Sequence, residues 1–116
     1  DDRQPTDTLV YSGSHLTHLQ SVYTFNGMIT WDEAKRQTNI AKHGIDFVGT
    51  ETILDHPMVT REDDGASYGE QRLQSLALLE GRVVFVVWTE RETGAHIISI
   101  RKADRHEQKI YFRVTG

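Results

Sequence analysis

Two residues near the middle of the sequence combine an acid with a cation. Glu70 and Arg72 are two positions apart, so a β-strand would place both side chains on one face. A carboxylate beside a guanidinium stays ionised, and it can accept a proton or orient the cation. The same two residues could form an exposed ion pair between strands, which contributes under about 1 kcal/mol. The spacing alone favours this second, structural role.

Further cations stand at the ends of predicted strands. Arg91 lies in a predicted turn, and Arg101 and Lys102 directly follow the apolar segment Ile97–Ile100. An ideal strand would point Arg101 and Lys102 to opposite faces. Arginine can bind a phosphate through two parallel hydrogen bonds, whereas lysine acts as a point charge. Arg101 is therefore the best phosphate ligand of the three. For Arg91 the spacing favours a solvated turn position, and Lys102 could simply face solvent before the helix.

Histidine and tyrosine side chains provide the remaining candidates. An unbroken strand would place His96 on the same face as Ile98 and Ile100, where a histidine is more often a rim or core residue than a catalyst. His43 stands at the predicted C-terminus of a helix, whose dipole favours the charged imidazole. Tyr111, in the C-terminal helix, could stack on a base, although packing in the core is the commoner use of such a residue.

Composition excludes several kinds of site. The chain contains no cysteine, which excludes disulfides, thiolate metal sites and cysteine catalysis. It also lacks a glycine-rich phosphate loop and a nucleophile elbow. His15 and His18 have a spacing seen in metal sites, but no further histidine or acidic partner is nearby. We therefore expect neither a metal nor a cofactor.

The distribution of charge is uneven. The net charge of −4 argues against a general nucleic-acid coat. Residues 28–64 hold 4 basic and 8 acidic side chains, whereas residues 65–116 hold 8 and 6. Such asymmetry suits a small enzyme with a local anion site, and it also occurs without any function. With no apolar run near the roughly 18 residues needed to span a bilayer, and no signal-peptide pattern, we expect a soluble cytoplasmic protein.

Hydrophobic periodicity and helix caps predict one α+β domain over residues 28–116. Two N-terminal helices and one C-terminal helix should pack on a mostly antiparallel sheet. A capping box at Thr30 and Glu33 would begin the first helix, and Asp46 would cap the second. Residues 1–27 are predicted to be an extension of unknown role, in which 9–11 and 22–25 could add strand at a sheet edge. The predicted strands are 28–31, 58–61, 70–79, 82–90 and 95–102, and the predicted helices are 31–42, 46–55 and the segment that follows Asp104.

Four segments, taken in order and spacing, resemble the BrnT family of ribonuclease toxins from type II toxin–antitoxin modules. The segments are WDEAKRQTNIAKHGIDF, GEQR, VVWTER and HIISIRKADRHEQKIY, and the resemblance covers about residues 28–112. It implies a RelE-like fold and a metal-independent endoribonuclease that cleaves mRNA and arrests growth. It also implies an antitoxin partner of the BrnA type, with a ribbon-helix-helix domain through which the pair would contact operator DNA.

The resemblance also marks particular residues. At the first of two departures, this chain has His96 where relatives commonly have arginine, which removes one phosphate ligand and supplies a titratable group. At the second it has Ser99-Ile100-Arg101 where relatives commonly have Ser-Ala-Arg. The polar positions of the family fall at Lys42, His43, Glu70, Arg72, Arg91, Arg101, Lys102, Glu107 and Tyr111.

RNA cleavage of this kind requires attack of a ribose 2′-oxygen on the adjacent phosphate. The reaction needs a base, an acid for the leaving 5′-oxygen, and cations on the phosphoryl oxygens. Glu70 is the first candidate for the base or for orienting a cation, and His96 is the second. A non-catalytic module that only binds an antitoxin-like partner is the alternative, and the charge disfavours direct DNA binding. Arg72, Arg91 and Arg101 would hold the phosphate, while Lys42, His43, Lys102 and Tyr111 would contact the RNA elsewhere.

Overall fold

The described part of the chain forms one mixed β-sheet with two α-helices and a short 3₁₀ helix. The computed structural model describes residues 8–12, 15–16, 28–63, 69–92 and 94–116, and in this part the sheet has seven strands in the order β2-β1-β4-β5-β6-β7-β3. Neighbouring strands are antiparallel except β3 and β7, which are parallel. The elements are β1 (Thr8–Ser12), β2 (His15–Leu16), β3 (Ile29–Trp31), α1 (Glu33–His43), the 3₁₀ helix (Thr50–Asp55), β4 (Met58–Asp63), β5 (Arg72–Leu79), β6 (Arg82–Arg91), β7 (Gly94–Lys102) and α2 (Arg105–Thr115).

The first helix begins and ends on local signals. Asp32 is the N-cap, and its carboxylate accepts hydrogen bonds from the amides of Ala34 and Lys35. The predicted capping box at Thr30 is therefore wrong, because Thr30 is still in a strand. Gly44 ends the helix as predicted, with a φ of 72° in the left-handed region.

The second predicted helix, over 46–55, is wrong. In its place the chain makes the 3₁₀ helix Thr50–Asp55, after a non-helical approach. The Asp46 carboxylate binds Arg36, at 2.7 and 3.0 Å, and accepts from the amide of Val48. Gly49 then has a φ of 89°, which a continuous α-helix cannot contain. The described residues therefore include one α-helix ahead of the main strands, where two were predicted.

The sheet has two faces with different coverings. On the core face, Ala77, Trp88 and Ile97 are buried beneath Phe47 and Ile53 from the segment after α1. On the opposite face, called the α2 face, buried Val59, Leu76, Val83 and Ala103 pack around Tyr111 of α2. The run Val83–Trp88 contributes to both faces, which confirms the prediction that this strand is covered on each side.

A β-bulge in β7 changes which side chains share a face. Val87 pairs with Ser99 but Trp88 pairs with Ile97, so Ile98 is an extra residue in β7. As a result Ile100 turns into the core, and the prediction that it shares a face with His96 is wrong. The same shift places His96 and Arg101 on the α2 face together.

β3 pairs only with the first part of β7, and further along β7 a side chain binds the backbone in place of a strand. Asn39, only 4% exposed, donates from Nδ2 to the carbonyl oxygens of Ile100 and Ile45, at 2.9 Å each. The amide of Ile100 in turn donates to Asn39 Oδ1 at 3.0 Å. The side-chain amide thus replaces a neighbouring strand and attaches α1 to the sheet.

Near the other edge of the sheet, β1 pairs with β4. Residues 9–11 thus form a strand as predicted, but β2 lies outside β1 at the edge of the sheet. The predicted strand 22–25 and His18 lie outside the described residues. The domain boundary between residues 27 and 28 stays a prediction. In the described part of the chain no helix is long and apolar enough to cross a membrane.

We expect Asn39→Ala to lower the free energy of unfolding by about 2–4 kcal/mol, because two buried backbone groups of Ile100 lose their partner. Urea denaturation at pH 7 measures the change. The control is Gln37→Ala on the exposed side of α1, which should change stability by under about 0.5 kcal/mol. Equal effects of the two substitutions would contradict the role assigned to Asn39.

Candidate functional site

A row of polar side chains crosses the end of the α2 face that lies away from α2. Thr30 pairs with His96 across β3 and β7, and Thr89 pairs with His96 across β6 and β7. The Thr30 hydroxyl lies 2.8 Å from His96 Nδ1. The pairing of Leu73 with Trp88, continued by one residue, places half-buried Arg72 beside Thr89. Four strands therefore bring one polar residue each to this end of the sheet.

Glu70 and Arg91 form an ion pair next to this row. Arg91 Nη2 donates to Glu70 Oε1 at 3.2 Å, and the two side chains are 46% and 42% exposed. The strand that was predicted to begin at Glu70 begins instead at Arg72. The prediction that Glu70 and Arg72 share one face of a strand is therefore wrong. The guanidinium that accompanies Glu70 belongs to Arg91, across the end of the sheet.

The surroundings of His96 favour its neutral form. Burial lowers the pKa of His96 below its ordinary value of 6.5, and the positive charges of Arg91 and Lys35 lower it further. The carboxylates of Glu70 and Asp32 oppose this effect without reversing it. At pH 7 the neutral imidazole is therefore favoured over the charged form. When Nδ1–H donates to the Thr30 hydroxyl, Nε2 is unprotonated and is the ring nitrogen that can accept a proton.

Arg101 is held by a different carboxylate. Its guanidinium donates to both oxygens of Glu107 at 2.9 Å each and lies 4.1 Å from the centre of the Phe85 ring. This pairing raises the pKa of Arg101 and lowers the pKa of Glu107. Arg101 pairs with Phe85 and His96 with Thr89 on β6, which separates them by about 13 Å along the sheet.

Glu107 also belongs to the cap of α2. The Asp104 amide donates to Glu107 Oε1 at 2.8 Å, and the Glu107 amide donates to Asp104 Oδ1 at 2.8 Å. This confirms the predicted capping box. One carboxylate thus fixes both the start of α2 and the direction of the Arg101 side chain.

The four residues predicted to contact RNA lie in three places. Lys102 and His43 line a cleft of about 400 Å³ next to the core face, so Lys102 is directed away from Arg101 as predicted. Lys42 is exposed in the last turn of α1. Tyr111 is 3% exposed, and its hydroxyl donates to the carbonyl oxygen of Pro57 at 2.9 Å. This position in the core argues against base stacking by Tyr111.

Thr30 and Lys35 lie at or near this site but were not predicted as site residues from the sequence. Thr30 is 66 residues from His96 in the chain, and only the parallel pairing of β3 with β7 brings them together. Lys35 has a seven-residue spacing from Lys42, which puts both side chains on one side of a helix. That spacing was the signal available for Lys35, and Thr30 had none.

The site combines a neutral imidazole, an arginine and a carboxylate at an exposed end of a sheet. A neutral imidazole can take a proton and return it, and the arginine can hold an anion beside it. Among the described residues, no three histidine, aspartate or glutamate side chains converge as metal ligands would. The arrangement suits proton transfer next to a bound phosphate.

Titration of His96 tests these electrostatics. Arg91→Ala should raise the pKa of His96, because a nearby positive charge is removed, and Glu70→Gln should lower it, because an opposing negative charge is removed. NMR of the imidazole C–H resonances measures both changes. Arg113→Ala, on the exposed side of α2, is the control and should leave the titration unchanged. Shifts of the opposite sign would refute the assigned surroundings.

The stability of the protein should depend on Glu107 in a pH-dependent way. The folded pKa of Glu107 is depressed, so its stabilising effect is present above the ordinary value of 4.5 and is lost as pH falls through the folded pKa. Glu107→Gln should thus destabilise the protein at pH 7, and the difference from wild type should shrink below pH 4.5. Urea midpoints across this range measure it. Glu51→Gln, an exposed carboxylate, serves as the control with a small difference throughout.

Comparison with known proteins identifies the family to which most of the chain is similar. Residues 31–107 match the family model described as the ribonuclease toxin BrnT of type II toxin–antitoxin systems. This segment contains every element from α1 to β7 and the beginning of α2. No protein with a curated function matched the chain. The family match spans about two thirds of the sequence, so the chain belongs to the BrnT family of ribonuclease toxins of type II toxin–antitoxin systems.

Proposed function

We propose that this protein is a metal-independent endoribonuclease that cleaves mRNA and arrests growth until an antitoxin neutralises it. The observation that supports this most directly is the cluster of His96, Arg91 and Glu70 at one exposed end of the sheet. It provides a group for proton transfer and a cation for phosphate. Attack by a ribose 2′-oxygen needs a proton acceptor and a cation, which His96 and Arg91 would provide.

The proposed reaction begins with transfer of the 2′-hydroxyl proton to His96 Nε2. The 2′-oxygen then bonds to the adjacent phosphorus while the bond to the 5′-oxygen breaks. The products are a 2′,3′-cyclic phosphate and a 5′-hydroxyl, and the proton held by the imidazole can return to the leaving oxygen. Arg91 stabilises the negative charge on the phosphoryl oxygens.

In this proposal Glu70 orients Arg91 and does not act as the base. Its carboxylate is 3.2 Å from the Arg91 guanidinium, which directs the cation, whereas the neutral form of His96 is already favoured at pH 7. The proposal therefore takes His96 before Glu70 as the base, which is the reverse of the order that the sequence suggested.

Arg72 and Arg101 differ in how well they are placed to bind the phosphate. Arg72 lies in the same row as His96, so we assign it a second contact to the phosphate. Arg101 is about 13 Å from His96 along the sheet and already binds Glu107 through two hydrogen bonds. A phosphate would have to displace this carboxylate to reach it, so we assign Arg101 at most a contact to a neighbouring nucleotide.

We further propose a BrnA-type antitoxin with a ribbon-helix-helix domain as the partner. Membership of a type II toxin–antitoxin family supports a protein antitoxin. The net charge of −4 suits a division in which operator DNA is contacted through the antitoxin.

Cleavage of RNA by the purified protein tests the proposed activity. With mRNA in excess EDTA, we expect cuts whose ends carry a 2′,3′-cyclic phosphate and a 5′-hydroxyl. His96→Ala should reduce the rate about 10²- to 10⁴-fold, because proton transfer is lost. His106→Ala, an exposed histidine of α2, is the matched control and should cut at the wild-type rate. End mapping and initial rates measure both.

Absence of cleavage, or an absolute requirement for a divalent metal, would refute the proposed mechanism. Expression in cells that lack an antitoxin separates the enzyme from a module that only binds protein. The enzyme arrests growth with loss of RNA, and Glu70→Ala should relieve the arrest. Normal growth on expression of a folded wild-type protein would favour the binding module.

A further inference from the structure

A groove of about 360 Å³ runs between α1 and the bulged part of β7. On one side it is lined by α1, and on the other by the two residues at the bulge, Ile98 and Ser99. The lining side chains from α1 include Ala34, Lys35, Thr38 and Lys42.

The helix presents two lysines to this groove at a fixed spacing. Lys35 and Lys42 are seven residues apart, which is two helical turns and about 10 Å along the axis. Thr38 lies between them on the same side. Because Asn39 attaches α1 to Ile100, the lysine-bearing side of the helix is held against β7 and cannot slide along it.

The charge of the groove distinguishes it from two other clefts. Within the part of the chain that the structure describes, its lining contains two lysines and no carboxylate. The cleft beside Lys102 contains Asp46 and Glu80 as well as cations, and the cleft beside Arg61 contains Asp104 and Glu107. A lining of one sign attracts a ligand that carries repeated charge of the other sign.

The groove is continuous with the candidate site. The chain enters α1 directly from β3, whose Thr30 contacts His96, and Asn39 later bonds Ile100. The helix therefore runs in the same direction as β7, and Lys35 lies nearer His96 than Lys42 does. In agreement, the charge of Lys35 contributes to the lowered pKa of His96.

We propose that this groove binds single-stranded RNA beside the bond that is cut, with Lys35 and Lys42 each contacting one phosphate. The hydroxyls of Thr38 and Ser99 lie between the two cations, and half-buried Ile98 offers an apolar contact for a base. The inference depends on the proposed ribonuclease activity, and it adds the path that the substrate follows away from His96. In the activity proposed above, Lys35 acts only through its effect on the pKa of His96.

The salt dependence of RNA binding tests this path. The probe is a mixed-sequence single-stranded oligonucleotide with 2′-O-methyl riboses, which the proposed reaction cannot cut. Each phosphate contact in a single strand contributes about 0.7 to the slope of log K against log salt. Lys35→Ala with Lys42→Ala should therefore reduce the slope by about 1.4, and the paired Lys→Arg changes should preserve it. Lys109→Ala, on the exposed side of α2, is the control and should leave the slope unchanged.

Kinetics with cleavable RNA provide a second measurement. At pH 8, well above the ordinary histidine pKa of 6.5, loss of the Lys35 charge should not change the protonation of His96. At that pH the paired alanine variant should raise KM more than tenfold and change kcat less than twofold, because the contacts lie outside the reacting atoms. An unchanged slope and KM, with wild-type cleavage intact, would overturn the groove while the proposed activity stands. The expected slope change in a wild-type protein that never cleaves RNA would support the groove as an RNA-binding surface and refute the activity. Loss of antitoxin binding with an unchanged RNA slope would instead assign the groove to a protein partner, which overturns the inference.

Discussion

The hydrogen bonds between Asn39 and Ile100 determine where α1 lies. This helix buries no apolar side chain fully, and Asn39 is its buried residue. Amphipathic helices are usually fixed by an apolar face, which tolerates small shifts along the contact. A side-chain amide that bonds both the N–H and the C=O of one strand residue permits a single register. The positions of Lys35 and Lys42 relative to β7 therefore follow from one polar contact.

The candidate site depends on two departures from a regular antiparallel sheet. The parallel pairing of β3 with β7 brings Thr30 to His96, and the bulge at Ile98 turns His96 and Arg101 to the same face. A bulge increases local twist and redirects the side chains that follow it. Without the extra residue, Ile100 would leave the core and Arg101 would enter it. The extra residue Ile98 thus keeps Ile100 in the core and places Arg101 on the α2 face.

Local signals in the sequence predicted the parts of the fold that neighbouring residues determine. Gly44 predicted the end of α1, and Asp104 with Glu107 predicted the start of α2, because caps act within four residues. The second helix was predicted wrongly, since the ion pair of Asp46 with Arg36 and the left-handed Gly49 overrode the periodicity. His96 was a candidate from its residue type, but its neutral state depends on burial and on Arg91. Its contact with Thr30 follows from a strand pairing over 66 residues, which no local pattern encodes.

The two arginine–glutamate pairs on the α2 face differ in how readily they can exchange for a phosphate. Glu70 and Arg91 are both nearly half exposed and share one hydrogen bond, so water already competes for the pair. Glu107 is 17% exposed, binds Arg101 through two bonds and also caps α2. Displacing Glu107 would leave a half-buried carboxylate and an uncapped helix. Arg91 can instead keep its hydrogen bond to Glu70 and bind a phosphate through other N–H groups of the guanidinium. A phosphate therefore gains more by binding Arg91, and Arg101 serves mainly to join the end of β7 to α2.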